Sequence, residues 1–572
     1  MSSRSSHNAR RRARSALGAA ALAAVTALVA PMDPLGAQGA SQGDAPTYRR
    51  GVDVLHYDLS LSLPDTGNLI RGLATLTVRR TAPVDTLVLD LIALRVDGVA
   101  VNGTDVGMPG DTRDGATIRV PLPRGSGDTL RVAVRYGGPV TDGLIVRTDS
   151  MGRWTGFGDN WPDRARHWIP SVDHPSDKAT VTWTVEAPSD RRVVANGSLV
   201  EETPLPRSGS PEAKPRTRTV WRESRPIPVY LMVIAAAPLA YYDLGPSACG
   251  RAELGGCVAQ SVYVAPEVRD FLPGPFAEAG RIVELFSALV GPFPYEKLAH
   301  LQSATRFGGM ENASAIFYSD AGFRRRTMGV GLIAHETAHQ WFGDAVTERE
   351  WSHLWLSEGF ATYFAALWTR HSAGDSAFRA EMARVRDQVV KSPVSASRPV
   401  IDTAQTNYLE LLNTNSYQKG GLVLHMLRTQ LGDSAFFRGV RAYYEKHRHA
   451  TALSDDLRAE LERASGTSLG AFFDQWLQRP GWPELTTAWR FDPRAGRVTL
   501  DIEQGTRWAP YTFPLTVEVR DAAGAVQRAT VEVRAERRQQ IAVPLALRAA
   551  PSAVTFDPDV SVLATFTSRA RR

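Results

Sequence analysis

The sequence predicts a multidomain protein of mixed α and β structure, because the period of its hydrophobic residues changes twice along the chain. Alternation of apolar and polar residues, broken by Gly, Pro and Asp, dominates the first part and predicts an antiparallel β domain. Helical periodicity follows in the middle, and alternation returns near the end. We therefore expect an N-terminal antiparallel β domain at 44–247, a mainly helical domain at 248–482 and a C-terminal β sandwich at 483–572.

The individual elements follow from the local pattern. Strands are predicted in the first domain at 56–63, 74–78, 130–134 and 180–185. Helices are predicted in the second domain at 276–290, 333–343, 354–369 and 420–431. Two prolines close to Gly481 end the helical pattern, and strands are predicted beyond them at 497–502, 515–519 and 530–533.

Length and composition limit the possible classes of protein. A chain of 572 residues is too long for one core and fits three or four domains. Residues 1–37 hold five arginines and one aspartate, so +4 of the net charge of +6 lies there and +2 remains beyond. We find no basic patch of the kind that binds nucleic acid, and we expect no nucleic-acid partner.

Residues 1–37 resemble a secretory signal peptide. An arginine-rich start precedes an apolar run from Ala16 to Ala30, and small residues then permit cleavage before Gln38. We expect export to the periplasm or the extracellular space, by the general or the twin-arginine route. No later stretch approaches about 20 uninterrupted apolar residues, so we expect no stable membrane span in the mature chain.

The chain has two cysteines, Cys249 and Cys257, separated by a short glycine-containing segment. In an oxidising compartment a short-loop disulfide is the favoured interpretation, and a pair of reduced thiols is the alternative.

The clearest functional signal is a His-Glu-x-x-His segment in the predicted helix at 333–343. His335 and His339 lie one turn apart on one helix face, so both imidazoles can reach a single metal ion. Glu336 points off that axis and is the candidate base that acts on metal-bound water. Glu358 is the candidate third ligand, because a glutamate in a mostly apolar helix is costly to bury unless it is paired or coordinated.

This donor set predicts one zinc ion with an open coordination position, which is the catalytic arrangement. The alternative, a chance match on an ordinary helix, fits the context less well, since the segment lacks proline and has apolar residues at helical spacing. Asp344, just beyond the helix, is either a carboxylate that orients a ligand imidazole or a solvated charge at the helix end.

A glycine-containing segment upstream carries a candidate substrate anchor. It follows a predicted strand at 297–302 and consists of Gly308, Gly309, Met310, Glu311 and Asn312, preceded by Phe307. The glycines let a substrate backbone approach closely, so a peptide can add to this edge as an extra strand while Glu311 holds a cationic group. The alternative is a Gly-Gly turn with a solvated glutamate.

Tyr417 precedes the predicted helix at 420–431. Hydrolysis of a peptide carbonyl creates an oxyanion, and a phenol can donate a hydrogen bond to it without adding charge. The alternative for Tyr417 is an ordinary core residue at a helix start.

Together these segments resemble the M1 family of zinc aminopeptidases, of the aminopeptidase N and leukotriene-hydrolase type. The resemblance rests on His335-Glu336-x-x-His339 followed after eighteen residues by Glu358, on Gly308-Gly309-Met310-Glu311-Asn312 and on Tyr417-x-Lys419-Gly420. It spans most of the mature chain and implies a thermolysin-like helical domain between two β domains.

The resemblance also implies a role for each residue. His335, His339 and Glu358 would bind one zinc ion, and Glu336 would be the general base. Glu311 would hold the free α-amino group of a peptide substrate, and Tyr417 would stabilise the tetrahedral intermediate. The resemblance leaves open whether Asp159, with neighbouring Asn160, is a second anchor for the amine.

Two other functions remain to be distinguished. A thermolysin-type zinc endopeptidase shares the ligand geometry but has no use for a carboxylate where the substrate chain must continue. A catalytically silent scaffold of the same fold predicts damaged ligands, whereas the ligands, the base and Tyr417 are all present.

Overall fold

A computed structural model of the chain describes residues 51–107, 115–123, 125, 127–207 and 214–568. The chain divides into two compact units. The first unit comprises the chain up to Trp351 and Tyr444–Leu453, and the second comprises Ser352–Tyr443 and the chain from Ser454 onwards. The predicted signal peptide at 1–37 lies outside the described residues. Among those described, no helix combines the length and the apolar character needed to cross a membrane.

The strands of the first unit are β1 (Val52–Ser62), β2 (Leu69–Arg80), β3 (Thr86–Asp90), β4 (Arg95–Val101), β5 (Thr104–Asp105), β6 (Thr117–Pro121), β7 (Thr129–Pro139), β8 (Leu144–Thr148), β9 (Trp154–Gly158), β10 (Lys178–Pro188), β11 (Arg192–Ala195), β12 (Ser198–Pro204), β13 (Arg216–Pro228), β14 (Ile234–Ala237), β15 (Ala240–Ala248), β16 (Cys257–Val264), β17 (Lys297–Ser303), β18 (Gly309–Met310), β19 (Ala315–Ser319), β20 (Val346–Glu348) and β21 (Ala450–Ala452). Its helices are α1 (Ala279–Val290), α2 (Asp320–Arg324) and α3 (Val330–His339).

The remaining helices are α4 (Trp355–Ala373), α5 (Asp375–Lys391), α6 (Pro393–Ser397), α7 (Gly420–His447), α8 (Ser454–Ser465) and α9 (Gly470–Leu477). Helix α7 is kinked at Gly432, whose φ is 75°, and its last residues from Tyr444 belong to the first unit. The strands of the second unit are β22 (Glu484–Asp492), β23 (Arg497–Gln504), β24 (Phe513–Arg520), β25 (Val526–Val533), β26 (Arg538–Ala542), β27 (Ala553–Phe556) and β28 (Thr565–Ser568).

An eight-stranded sheet dominates the N-terminal part of the first unit, in the order β12-β13-β10-β1-β2-β7-β4-β5. The four predicted strands fall in β1, β2, β7 and β10. Alternation produces them, since residues such as Tyr57, Leu59 and Leu61 are buried while the residues between them are half-buried. One pairing differs from the predicted antiparallel pattern: β1 runs parallel to β10, with His56 opposite Thr180.

A mixed five-stranded sheet in the first unit leads to the candidate site. Its order is β15-β16-β17-β19-β18, and β17, the strand predicted at 297–302, runs parallel to β16 and β19. The two-residue strand β18 pairs antiparallel with β19 and ends the order. This position confirms the prediction that the Gly-Gly segment forms a sheet edge, and α3 packs against both β18 and α1.

Helix α3 is shifted from its predicted range of 333–343. It begins at Val330 and ends at His339, and the next turn is tightened by a hydrogen bond from Trp341 N–H to the carbonyl of Ala338. Gly343, with φ of 117°, turns the chain away from the helix axis. The two histidines therefore occupy the last turn of the helix.

The two cysteines are free thiols in the structure, which corrects the favoured disulfide. Cys257 stands directly opposite Ala248 in the β15–β16 ladder, and Cys249 is the next residue along. Because successive side chains alternate between faces of an extended chain, Cys249 and Cys257 turn to opposite sides. Cys249 is buried, and its burial raises the pKa of the thiol.

The second unit joins a helical part to the C-terminal sheets. Helix α4 is buried along most of its length because it is apolar on nearly every side, as the pattern at 354–369 predicts. The C-terminal strands form two sheets, β26-β23-β22-β28 and β25-β24-β27. The strands predicted at 497–502, 515–519 and 530–533 are β23, β24 and β25, so the predicted fold class is confirmed. The predicted domain boundaries stay a prediction.

Candidate active site

The two imidazoles of α3 converge on one point. The Nε2 atoms of His335 and His339 are 3.1 Å apart, and the two rings are nearly perpendicular. Nδ1 of His339 lies 3.1 Å from the carbonyl oxygen of Phe342, which can only accept a hydrogen bond. Nδ1 therefore carries the proton, and Nε2 presents its lone pair.

This geometry fits a zinc ion. Two nitrogen ligands at about 2.0–2.1 Å from a tetrahedral zinc ion are separated by about 3.3 Å, close to the observed distance between the Nε2 atoms. Both imidazoles are buried, and neutral imidazole is a preferred zinc ligand.

Glu336 lies directly against the edge strand. A Cβ atom built on Gly309 would be 2.1 Å from Oε1 of Glu336, whereas one built on Gly308 would meet nothing within 4 Å. Glu336, the predicted base, thus leaves room only for glycine at position 309. Gly308 has no such steric requirement.

Glu311 belongs to the same cluster. The candidate ligand atoms of Glu311, Glu336 and His339 lie within 4.8 Å of one another, and all three side chains are buried. Because a nearby cation favours the ionised form of a buried carboxyl group, this pair suits a substrate that carries an ammonium group. The structure therefore brings together the predicted base and the predicted amine anchor.

The flanking residues of the edge segment differ in exposure. Gly308 is exposed and Gly309 half-buried, whereas Met310 and Asn312 are buried. Neither polar atom of the Asn312 amide has a hydrogen-bond partner among the described residues. Met310 and Asn312 stay predicted substrate-binding residues, and their burial favours a contribution through the position of their backbone.

Asp344 does not hold the imidazole of His339. Its Oδ2 accepts a hydrogen bond of 2.8 Å from Nε2 of Gln340, while the imidazole of His339 donates to Phe342 instead. Burial, with a contribution from the nearby charge of Glu311, raises the pKa of Asp344 well above its usual range. The carboxyl group is buried, which corrects the interpretation of Asp344 as a solvated charge at the helix end.

Asp159 and Asn160, for which a role as second amine anchor was left open, both have hydrogen-bond partners within the protein. Asp159 is fully buried, with Oδ2 accepting from Arg164 at 2.8 Å and Oδ1 accepting from the hydroxyl of Thr305 at 3.0 Å. Asn160 donates to the carbonyl of Met232 at 2.7 Å and accepts from the indole of Trp168 at 2.8 Å. Both side chains are engaged with partners in the protein, so Glu311 is the better supported anchor.

In the second unit, Glu358 lies in the first turn of α4. Its side chain is buried in a helix whose other buried residues are mostly apolar, as the sequence predicts for a metal ligand. The next residue, Gly359, packs against the start of α7, since a Cβ on it would be 2.9 Å from the carbonyl carbon of Gly420. Close backbone contact therefore fixes the part of α4 that carries Glu358.

Tyr417 lies in a π-helical turn, Asn415–Lys419, that leads into α7. The side-chain amide of Asn415 donates to the carbonyls of Arg398 and Pro399, both at 2.9 Å. Nζ of Lys419 donates to the carbonyls of Arg479 and Gly481 at 3.3 and 3.2 Å. These contacts hold both ends of the turn and leave Tyr417 half-buried between them.

Gln340 is the residue of this site that sequence reasoning missed. Its buried amide bridges the segment of Glu311 to the turn after α3, through contacts to backbone atoms. The only available signal was its place directly after His339, because a contact to a distant backbone carbonyl leaves no periodic pattern in the sequence.

Comparisons with known proteins agree with this geometry. The sequence-family model of the Peptidase M1 N-terminal domain matches residues 54–231, and the family model of the Peptidase family M1 domain matches residues 279–476. Aminopeptidase M1-A of Oryza sativa subsp. japonica is 28% identical over 75% of this chain and 50% of its own length. Aminopeptidase N of Streptomyces lividans is 27% identical over 76% of this chain and 52% of its own length. The chain thus spans about half the length of these relatives.

Solved structures give the same assignment. The M1 zinc metallopeptidase from Deinococcus radiodurans has a TM-score of 0.62 and 29% identity, covering 75% of this chain and 93% of that one. Aminopeptidase A from Legionella pneumophila, solved with aspartic acid, has a TM-score of 0.77 over 91% of this chain and 60% of that one, and at 17% identity it shows a shared fold alone. Two domain models of one family match the chain in order, and the histidine pair fits a zinc ion. The chain therefore belongs to the M1 family of zinc metallopeptidases.

Proposed function

We propose that this protein is a zinc aminopeptidase that removes residues from the free N-terminus of peptides. The observation that carries the proposal is the buried carboxylate of Glu311, clustered with Glu336 and His339 at the end of an edge strand. A carboxylate there suits a substrate that ends in an ammonium group. The named relatives are aminopeptidases, and the Deinococcus radiodurans metallopeptidase has also been solved with a Tyr-Ser-Ala substrate.

The metal site of the proposal consists of His335, His339 and Glu358. The convergent Nε2 atoms support the two histidines, and the burial of Glu358 in an apolar helix supports the glutamate. Bound zinc supplies Lewis-acid polarisation of the scissile carbonyl and lowers the pKa of water.

The protein side chains perform the remaining steps. The peptide adds to β18 as an extra strand, and its ammonium group pairs with Glu311. Glu336 accepts the proton of the attacking water and returns it to the departing amine. Tyr417 donates its phenolic hydrogen to the oxyanion that develops at the carbonyl.

The test compares a chromogenic aminoacyl amide with its N-acetylated form, using purified zinc-loaded protein. Acetylation removes the charge that Glu311 would bind, so we expect hydrolysis of the free amine and none of the acetylated amide. Equal cleavage of both would refute the aminopeptidase and favour a zinc endopeptidase. Cleavage of neither, at full zinc content, would favour a silent scaffold.

We further propose that the protein is exported. The arginine-rich start and apolar run within residues 1–37 support this. Expression of the full chain in a Gram-negative host, followed by fractionation and mass spectrometry, tests it. We expect a periplasmic or secreted form that begins at Gln38, and an uncleaved cytoplasmic form would contradict the proposal.

A further inference from the structure

One buried amide connects the metal-binding helix to the segment that carries the amine anchor. Gln340 directly follows His339 and is completely buried. Its Nε2 donates to the backbone carbonyl of Glu311 at 2.7 Å and to Oδ2 of Asp344 at 2.8 Å. Its Oε1 accepts from the backbone N–H of Ser314 at 2.8 Å. Both donor hydrogens and the acceptor are therefore engaged.

The two loop contacts enclose one short segment. Glu311 and Ser314 are the two ends of the connection from β18 to β19, and the same side chain binds the backbone at both ends. The loop cannot shift along α3 without breaking a hydrogen bond in a buried site, where an unmade bond is costly. The position of the Glu311 Cα atom relative to His339 is consequently set through Gln340.

This distance matters for the reaction under the proposed function, on which the inference rests. An exopeptidase must hold the substrate ammonium and the scissile carbonyl at once, and these groups are separated by a fixed number of bonds. A displacement of about 1 Å between such groups can cost on the order of 100-fold in rate. We propose that Gln340 is a positioning residue that holds the amine anchor Glu311 at the correct distance from the metal-binding helix.

A double-mutant cycle tests this coupling. Gln340→Met keeps the length of the side chain and removes the donors and the acceptor, while Glu311→Ala removes the anchor itself. We expect Gln340→Met to lower kcat/KM for a free-amine substrate at least tenfold. In the Glu311→Ala background the same change should cost less than twofold, because the anchor it positions is gone. Equal losses in both backgrounds would show a general structural role and overturn the inference.

Inhibitor binding gives a second readout that does not depend on turnover. An amino acid hydroxamate can use both the metal and Glu311, whereas acetohydroxamate has no amine. We expect Gln340→Met to weaken only the amino acid hydroxamate, by about tenfold, and an equal loss for both compounds would contradict the proposal. Thr337→Val is the matched control, since its hydroxyl is buried on the same helix without a hydrogen-bond partner among the described residues. We expect it to bind both compounds as the wild type does.

A milder variant separates the loss of positioning from a failure to fold. Gln340→Asn keeps an amide in the site and withdraws it from Glu311 by one methylene. It replaces Gln340→Met in both experiments if that variant does not fold, and we expect the same pattern from it. The substrates that the wild type cleaves show whether the proposed function or the inference about Gln340 has failed. If it cleaves free and acetylated substrates equally, the proposed function fails; if it is an aminopeptidase but the two substitutions act additively, only the inference about Gln340 fails.

Discussion

The segment around α3 and the segment around α4 each carry part of the predicted chemistry, but they are held in different ways. In the first unit, the Glu311 segment is fixed to α3 by the amide of Gln340, through hydrogen bonds to backbone atoms. In the second unit, the turn of Tyr417 joins α4 where the backbones of Gly359 and Gly420 touch. One arrangement depends on a polar side chain and the other on the absence of side chains.

The two segments should therefore respond to different kinds of substitution. Hydrogen bonds fix a backbone in direction as well as distance, which suits an anchor that must lie at one distance from a base. Contact between glycines fixes only the separation of two helices, and direction must come from other bonds. In the second unit Asn415 and Lys419 supply them by binding carbonyl groups around the π-helical turn.

The largest effect should come from Glu336→Gln, which keeps the shape of the side chain against Gly309 and removes its basicity. A general base contributes on the order of 100- to 10,000-fold, so we expect kcat to fall by about a thousandfold on an aminoacyl amide. Zinc content, measured by atomic absorption, should stay at that of the wild type. An unchanged kcat would exclude Glu336 as the base.

The contact between Gly309 and Glu336 gives a smaller but more specific effect. A methyl group on Gly309 would occupy the position of the Glu336 carboxylate, so Gly309→Ala should displace the base and lower kcat about 100-fold. Gly308→Ala is the neighbouring control, with open space around the added methyl group, and should lose less than threefold. Equal losses at both positions would mean that edge flexibility, rather than room for Glu336, is what the glycines provide.

In the second unit, Gly359→Ala tests the backbone contact between α4 and α7. The added methyl group would be 2.9 Å from the backbone of Gly420, and overpacking of this kind costs about 1–3 kcal/mol in the free energy of unfolding. Denaturation by urea measures it. Gly470→Ala, a helical glycine whose added methyl group meets only the end of an arginine side chain at 3.7 Å, should be neutral or slightly stabilising.

The sequence predicts the chemistry of this site better than its supports. Strict alternation predicts strands such as β1 and β10, although it does not predict that they run parallel, because that depends on a connection through eight intervening strands. Spacing alone identifies His335 and His339, since one helix carries both. Gln340 and Lys419 bind carbonyl groups that are remote in sequence, and such contacts exist only once the chain has folded.

Lys419 in the second unit gives a prediction on the pH dependence of stability, because its buried ammonium group should lose its proton more easily in the folded protein than in the unfolded chain. Burial, and to a lesser degree the charge of Arg479, lowers the pKa of its ammonium group to about 7. An unfolded lysine keeps its proton to about pH 10, so between these values the unfolded chain binds more protons and folding becomes more favourable as pH rises. The free energy of unfolding of the wild type should therefore rise relative to Lys419→Met between pH 7.5 and 9, by at most about 1.4 kcal/mol per pH unit. Lys391→Met, at an exposed lysine, should follow the wild type across this range. A constant difference between the wild type and Lys419→Met would mean that the buried amine stays charged, held by the carbonyls of Arg479 and Gly481.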